Sequence, residues 1–231
     1  MSDDYSALGD FDGQTRLFPL PNLVMFPYVI QPLHIFEPRY RQMTTDALAG
    51  DRFLSIVLMR PGFEADYEGQ PPLHSVGCLG KIVADQRLDD GRFNLLLRGV
   101  RRVRLLHEVP TDRLYRTARV ELLQDRGSLE GMAATGFRAE LVGQIPRWVP
   151  KDVAVREQFR KLLESDLSAG ALCDVFGFAL PLEPALKQQL LEELDVVERA
   201  RRLIEMLREQ GPSTEQPSGP ERKFPPDFSD N

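Results

Sequence analysis

The chain has 231 residues, of which 42% are hydrophobic and 28% are charged, and its formal net charge at pH 7 is -6. This length and composition are typical of a globular protein that buries its core in one large or two small domains. The acidic balance argues against broad affinity for nucleic acid or anionic lipid. We therefore expect a globular protein with no membrane partner and no general affinity for nucleic acid.

The two ends of the chain are predicted to be disordered. Residues 1–15 carry four aspartates and no Lys or Arg, whereas a secretory signal begins with basic residues. Residues 211–231 contain five prolines and few aliphatic residues, so they have little apolar surface to bury. No apolar run approaches the roughly 20 residues that span a bilayer.

A proline-rich stretch follows the first segment and reads LFPLPNLVMFPYVIQPLHIFEPRYRQM over residues 17–43. Proline is tolerated in bends, at sheet edges and at the starts of strands, where no ladder donor is required. We therefore expect a bend at residues 28–31 and a short strand at 33–36. Pro38 precedes apolar residues with helical spacing and Gly50 follows them, which predicts a helix at 38–49.

Further strands are predicted downstream from runs of β-branched and aliphatic residues between turn residues, at residues 53–59, 76–84, 92–98, 101–108 and 115–122. Asp90 and Gly91 supply the chemistry of a tight hairpin. Several short strands with one early helix predict a compact, barrel-like β region over residues 16–125.

The pattern changes from about residue 128, where strand signals vanish, and leucines recur with helical spacing from residue 186 onward. Residues 126–210 are therefore predicted to form a helical bundle. Proline and capping residues suggest its breaks and helix starts, at Pro150, Pro181, Pro184, Asp152 and Ser168.

Motifs for catalysis or metal binding are missing from the sequence. Gly80 and Lys81 are followed by Ile82 and lack the upstream glycine of a phosphate-binding loop, and no Gly-x-Ser-x-Gly elbow occurs. The three histidines and the cysteines Cys78 and Cys173 have no metal-ligand spacing, so we expect no metal and no cofactor. Two isolated cysteines in apolar surroundings also suggest a cytoplasmic protein.

Two sets of side chains are candidate binding sites. The first set clusters around the prolines of the opening stretch and would form an apolar patch that binds polypeptide: Met25, Phe26, Tyr28 and Phe36. The alternative is that Phe26 and Phe36 belong to the core. The second set is a basic strip that either contacts nucleic acid or is the solvated face of a strand pair: Arg98, Arg101, Arg102 and Arg104.

Several segments resemble one known family, the amino-terminal domain of Lon proteases and its stand-alone relatives. The resemblance rests on IFEPRY in the opening stretch, on VGCLGKI and DDGRFNLLLRGVRRVRL, and on LCDVFGFAL and KQQLLEELDVVERARRL further along. It covers residues 16–210, with one departure at Gly177, where the family often has alanine. It implies an α+β fold, namely a PUA-like barrel followed by a helical bundle, with Gly91 and Gly99 at turns and Arg102 near the sheet surface.

The resemblance also implies a function. Lon proteases continue into an ATPase module and a serine-lysine peptidase domain, which this sequence does not contain. The family domain helps to recognise unfolded or tagged substrates, so we expect a non-catalytic adaptor or regulator of proteolysis. Its partners would be unfolded or extended polypeptides, bound along a sheet edge, and a protease or chaperone. The alternative is RNA binding through the basic strip, which would weaken steeply with salt.

Overall fold

A computed structural model describes residues 8–9, 11–63, 69–148 and 153–209. The described part contains six strands, β1 (Gln14–Leu20), β2 (Ile30–Ile35), β3 (Phe53–Leu58), β4 (Val76–Arg87), β5 (Phe93–Val109) and β6 (Thr117–Leu122). It also contains six helices, α1 (Pro38–Leu48), α2 (Gly131–Trp148), α3 (Val153–Glu164), α4 (Ala169–Ala179), α5 (Pro184–Glu192) and α6 (Val196–Glu209).

Five strands pair in a closed circuit. β1 lies parallel to β3, and the remaining neighbours in the order β3, β4, β5, β6 and back to β1 are antiparallel. β2 pairs antiparallel with β5 and ends the sheet as an edge strand. The predicted α+β fold with a barrel-like first half is confirmed.

Within the described residues, the core divides into three clusters of buried side chains. One fills the inside of the barrel with residues of all five closed strands, among them Leu17, Phe53, Leu79, Val103 and Val120. A second packs α1 against the opposite side of the sheet, and a third unites the helical bundle with part of the opening stretch. The third cluster therefore joins the two halves of the molecule.

Ordered structure begins earlier than residue 16. Gln14 and Thr15 belong to β1, and the ring of Phe11 packs edge-on against Phe53 with 5.5 Å between ring centroids. The expectation of disorder over residues 1–15 is therefore wrong for these residues. Residues 1–7 and the tail 211–231, with Pro150 and Asp152, lie outside the described residues.

β5 is one continuous strand, whereas the sequence predicts two strands separated at Gly99. A Cβ atom at Gly99 would overlap the carbonyl oxygen of Phe26, so glycine is required by close backbone approach and not by a turn. A register shift opposite Leu79 and Gly80 lets the long strand curve from one part of the sheet to the other. Gly91, by contrast, lies in the predicted turn with φ +80°.

The helices begin and end near the predicted residues. α1 begins with Pro38 in its first turn and ends just before Gly50. The Ser168 hydroxyl accepts a 3.2 Å hydrogen bond from the Ala171 N–H and so caps α4 as predicted. Gly177 sits inside α4, where a Cβ would lie 3.3 Å from Cδ1 of Leu190 and 3.4 Å from Cζ of Phe26, so the position is tightly packed.

Candidate polypeptide-binding face

The four apolar residues predicted to form one patch are split by the structure. Met25 and Phe26 are 1% and 0% exposed, respectively, and both lie in the core. Phe26 belongs to the bundle cluster, and Met25 belongs to the cluster under α1. Only Tyr28 and Phe36 are exposed, at 47% and 60%, so the predicted patch is wrong for its first two members.

Exposure alternates around the two ends of the edge strand, whereas the three residues in its middle are all half-buried. Val29 and Ile35 are buried, whereas Ile30, at 45%, and His34 are exposed. This is the alternation of a strand with one face on the core and the other in solvent. We call the even-numbered residues from Tyr28 to Phe36 the outer row, which consists of Tyr28, Ile30, Pro32, His34 and Phe36. Ile30 was missed by the sequence interpretation because residues 28–31 were assigned to a bend.

Two neighbouring strands extend this row into a surface. The register places each β2 residue opposite one β5 residue and, beyond it, one β4 residue, and directly opposed side chains project from the same face. We call these nine residues the outer face, which consists of Ile30, Arg98 and Lys81, then Pro32, Leu96 and Ala84, then His34, Asn94 and Gln86. None of the nine is buried, so the whole face meets solvent.

Hydrogen bonds fix the polar end of the outer face. The imidazole Nδ1 of His34 lies 2.8 Å from Oδ1 of Asn94, whose Nδ2 in turn donates to Oε1 of Gln86 at 3.4 Å. An Nη1 of Arg92 lies 3.2 Å from Nε2 of His34. Because the guanidinium can only donate, Nε2 accepts and Nδ1 carries the proton. The His34 ring also lies stacked beside Phe36, with 6.2 Å between ring centroids.

The free edge of β2 is a poor template for another strand. Gly99 donates its N–H to the carbonyl oxygen of Val29 at 2.8 Å, so the odd-numbered residues of β2 bond to β5 and the even-numbered ones point away from it. Pro32 has no N–H at the centre of that edge, and Nε2 of Gln31 donates to the Pro32 carbonyl at 2.6 Å. The expectation that polypeptide binds through main-chain hydrogen bonds along a sheet edge is therefore unsupported at β2.

The predicted arginine strip is also not one surface. Arg98 and Arg104 are exposed, Arg101 is half-buried, and Arg102 is buried at 2% exposure. The Arg104 guanidinium lies 2.8 Å from Glu121. Arg102 points away from solvent towards the helical bundle, so the expectation that it lies near the sheet surface is wrong.

Arg102 belongs to a charge cluster at the junction between barrel and bundle, in which Asp125 alone is exposed. It pairs bidentately with Asp174 of α4, with Nη1 at 2.9 Å from Oδ2, and its Nε donates to the Leu191 carbonyl at 2.8 Å. Arg199 of α6 pairs with Asp125, which follows β6, and its Nε lies 3.5 Å from Asp174. We call Arg102, Asp125, Asp174 and Arg199 the junction cluster.

The charges of the junction cluster balance, with two guanidiniums and two carboxylates. Burial raises the pKa of the Asp174 carboxyl, and the positive charges of Arg102 and Arg199 act in the opposite direction. Arg199 makes two further bonds, to Asp125 at 3.0 Å and to the Glu193 carbonyl at 2.7 Å. With Arg102, Asp174 and Arg199 all buried, the cluster serves structure rather than ligand binding.

The two thiols are poor nucleophiles in the folded protein. Cys78 and Cys173 are both free and buried, and burial raises the pKa of each thiol to about 12. Since the thiolate is the reactive form, neither cysteine supports nucleophilic chemistry near neutral pH. Over the described ranges, no three His, Cys, Asp or Glu side chains come close enough together to hold a metal ion. None of the described helices is long and apolar enough to cross a membrane.

A cavity of about 650 Å³ lies between the start of α1 and the connection from β5 to β6. Its lining includes Tyr40, Arg39, Leu114, Tyr115 and Arg116. The arginines are already engaged: Arg39 pairs with Glu37 at 3.0 Å, and Arg116 pairs with Glu108. The polar groups of this cavity are thus directed at one another, which makes it a weaker candidate site than the outer face.

The chain matches a known protein family. The model of the ATP-dependent protease La (LON) substrate-binding domain matches residues 14–209. The chain belongs to this family. The match spans the barrel and the bundle together, so the Lon family domain includes the opening stretch, the outer face and the junction cluster.

Similar proteins include two Lon proteases that are much longer than the matched region. Lon protease 2 of Herpetosiphon aurantiacus is 29% identical over 216 residues, which cover 90% of this chain and 26% of that protein. Lon protease 2 of Sorangium cellulosum is 28% identical, over 83% of this chain and 24% of that protein. The chain therefore spans about a quarter of the length of these relatives, namely their substrate-binding domain.

Solved structures show the same fold. The crystal structure of a Lon N-terminal domain protein from Xanthomonas campestris matches with a TM-score of 0.59 at 23% identity, over 83% of this chain and 97% of that one. The N-terminal domain of the Mycobacterium avium complex Lon protease matches with a TM-score of 0.65 at 21% identity, over 85% and 99%.

Proposed function

We propose that this chain is a polypeptide-recognition module that acts in proteolysis as an adaptor or regulator without catalysing peptide hydrolysis itself. The observation that carries the proposal is the outer row, in which Ile30 on the edge strand β2 and the flanking residues Tyr28 and Phe36 are exposed in a Lon substrate-binding domain. Exposed apolar side chains in a row are a common means of holding an extended polypeptide.

The mode of binding follows from the edge of β2. Because Pro32 and Gln31 interrupt the hydrogen-bonding groups there, a bound polypeptide is recognised by its side chains on the outer face. Side-chain recognition tolerates many sequences, which suits a module that must accept unfolded proteins. An unfolded partner also loses conformational entropy on binding, so the affinity for each segment is modest.

The proposal also covers the partner proteins and the cellular location. The relatives named above are proteases, which supports a protease as a further partner, and a chaperone that delivers unfolded chains is the alternative. The two buried, unpaired cysteines support a reducing compartment, which in turn supports a cytoplasmic location.

The test is the binding of a fluorescently labelled unfolded polypeptide, measured by anisotropy without ATP. The double variant Ile30→Ser with Phe36→Ser removes two apolar side chains from the outer row, and we expect its affinity to fall about tenfold, or about 1.4 kcal/mol. Unchanged affinity would overturn the assignment of the site to the outer face.

A matched control replaces two apolar residues of similar exposure elsewhere. Leu106 on β5 and Val142 on α2 are each 57% exposed and lie outside the outer face. The double variant Leu106→Ser with Val142→Ser should bind as the parent does. Equal losses in both double variants would mean that the polypeptide adheres to any exposed apolar side chain, and specific recognition would be refuted.

A further inference from the structure

One end of the outer face combines apolar and basic groups. Ile30 on β2 stands directly opposite Arg98 on β5, which stands opposite Lys81 on β4. The nine residues of the outer face include these two cations and no carboxylate. A chain with a net charge of -6 therefore presents a basic surface beside its exposed apolar row.

The environment of Arg98 distinguishes it from other arginines. Its side chain is exposed and its guanidinium forms neither a hydrogen bond nor an ion pair within residues 8–9, 11–63, 69–148 and 153–209. Arg104, six residues further along the same strand and also exposed, pairs with Glu121 at 2.8 Å. Arg98 is thus positioned to pair with a group from outside the described part of the chain.

We propose that Arg98 makes this face selective for extended polypeptide segments in which an acidic residue lies two positions from a large apolar one. The inference rests on the proposed function and specifies its substrate class. In an extended chain, residues two apart project from the same side at a separation of about 6.7 Å. Opposed residues on neighbouring strands are about 5 Å apart at Cβ, so the apolar side chain contacts Ile30 while the carboxylate reaches Arg98.

Bidentate pairing gives Arg98 the chemistry that such selection requires. A planar guanidinium donates two parallel hydrogen bonds to a carboxylate, and an amide of the same shape offers one acceptor oxygen and no charge. The face is exposed to solvent, so the preference should be moderate and should fall as salt screens it. Lys81 on the far side of Arg98 adds positive charge and disfavours basic segments.

The experiment compares three labelled peptides by fluorescence anisotropy with the full chain. They share one apolar sequence and differ only in the residue two positions after a central leucine, which is Glu, Gln or Lys. We expect the Glu peptide to bind about fivefold more tightly than the Gln peptide at low salt and the Lys peptide to bind most weakly, with the differences shrinking at high salt.

Variants assign the preference to one side chain. Arg98→Gln should bind the Glu and Gln peptides equally, and Arg98→Glu should prefer the Lys peptide. Arg104→Gln, the matched control on the same strand, should retain the parent preference. Circular dichroism checks that each variant keeps the fold. Equal affinity of the parent for the Glu and Gln peptides, or a preference that survives Arg98→Gln, would overturn the inference.

The outcomes separate this inference from the proposed function. If all three peptides bind equally and the outer-row variant weakens them, polypeptide recognition stands and acidic selection fails. If no peptide binds, both fail. A labelled single-stranded RNA serves as the last probe, and RNA binding that is tighter than any peptide and weakens steeply with salt would assign Arg98 to phosphate and overturn the proposal.

Discussion

Arg98 and Arg102 lie four residues apart on β5, yet the two regions around them use a guanidinium in opposite ways. Around Arg98 the outer face is open to solvent and holds no carboxylate. Around Arg102 the other members of the junction cluster except Asp125 are buried, and two carboxylates compensate two guanidiniums. A cation in solvent costs little and remains available to a ligand, whereas a buried one must be paired within the protein. The first region therefore suits recognition, and the second suits stability.

Removal of a carboxylate from the junction cluster should have the largest effect. Asp174→Ala leaves the buried guanidinium of Arg102 without its bidentate partner, and we expect the free energy of unfolding to fall by about 4 kcal/mol. Urea unfolding followed by circular dichroism measures this loss. The control is Glu121→Ala, which deprives the exposed Arg104 of its partner and should cost less than about 1 kcal/mol. Similar losses in both variants would contradict the distinction between the two regions.

Two phenylalanines of the opening stretch allow a second comparison between a buried and an exposed side chain of the same type, Phe26 and Phe36. Phe26→Ala opens a cavity between the barrel and α4, and we expect it to lower the free energy of unfolding by about 3 kcal/mol. Phe36→Ala removes an exposed ring and should cost less than about 1 kcal/mol while it weakens polypeptide binding. Thermal unfolding and anisotropy together separate the two effects. A stability loss from Phe36→Ala as large as that from Phe26→Ala would show that Phe36 belongs to the core.

The smallest expected effect concerns Glu198 on α6 and the two arginines that pair with it, Arg201 and Arg202. Hydrogen bonds from Arg201 and Arg202 lower the pKa of Glu198 from 4.5 to about 2. Because the pKa in the folded state is the lower one, this group stabilises the fold above about pH 4.5 and loses that contribution as the pH falls towards about 2.

Glu198→Gln should accordingly flatten the decline in stability between pH 4.5 and pH 2, as measured by urea unfolding at several pH values. Carbon NMR of the Glu198 carboxyl in the parent protein provides the direct check. A carboxyl that titrates at its ordinary value would show that the two arginines do not hold it in solution.

Much of the fold could be predicted because its signals are local. Proline and glycine bound α1, Gly91 marks the hairpin, and Ser168 caps α4 within three residues. Gly99 misled the prediction because glycine marks both turns and close backbone contacts, and the contact with Phe26 is made by a distant part of the chain. The burial of Arg102 was similarly hidden, since Asp174 lies 72 residues away along the chain.

The candidate site was only half predictable. Tyr28 and Phe36 were identified from their position beside prolines, and both are exposed. A strand over residues 30–35 would have placed Ile30 on the same side as Phe36, had Pro32 been accepted inside an edge strand. The burial of Met25 and Phe26 depends on the position of the bundle, which no periodicity within the opening stretch encodes.

The interrupted edge of β2 has a consequence for the handling of aggregation-prone chains. An edge strand with all its hydrogen-bonding groups free can seed cross-β growth, in which each captured segment becomes the template for the next. Pro32 lacks the central donor, and Gln31 covers the Pro32 carbonyl, so that step is blocked at this edge. On the proposed function, the protein can hold unfolded segments on its face and release them again without nucleating a fibril.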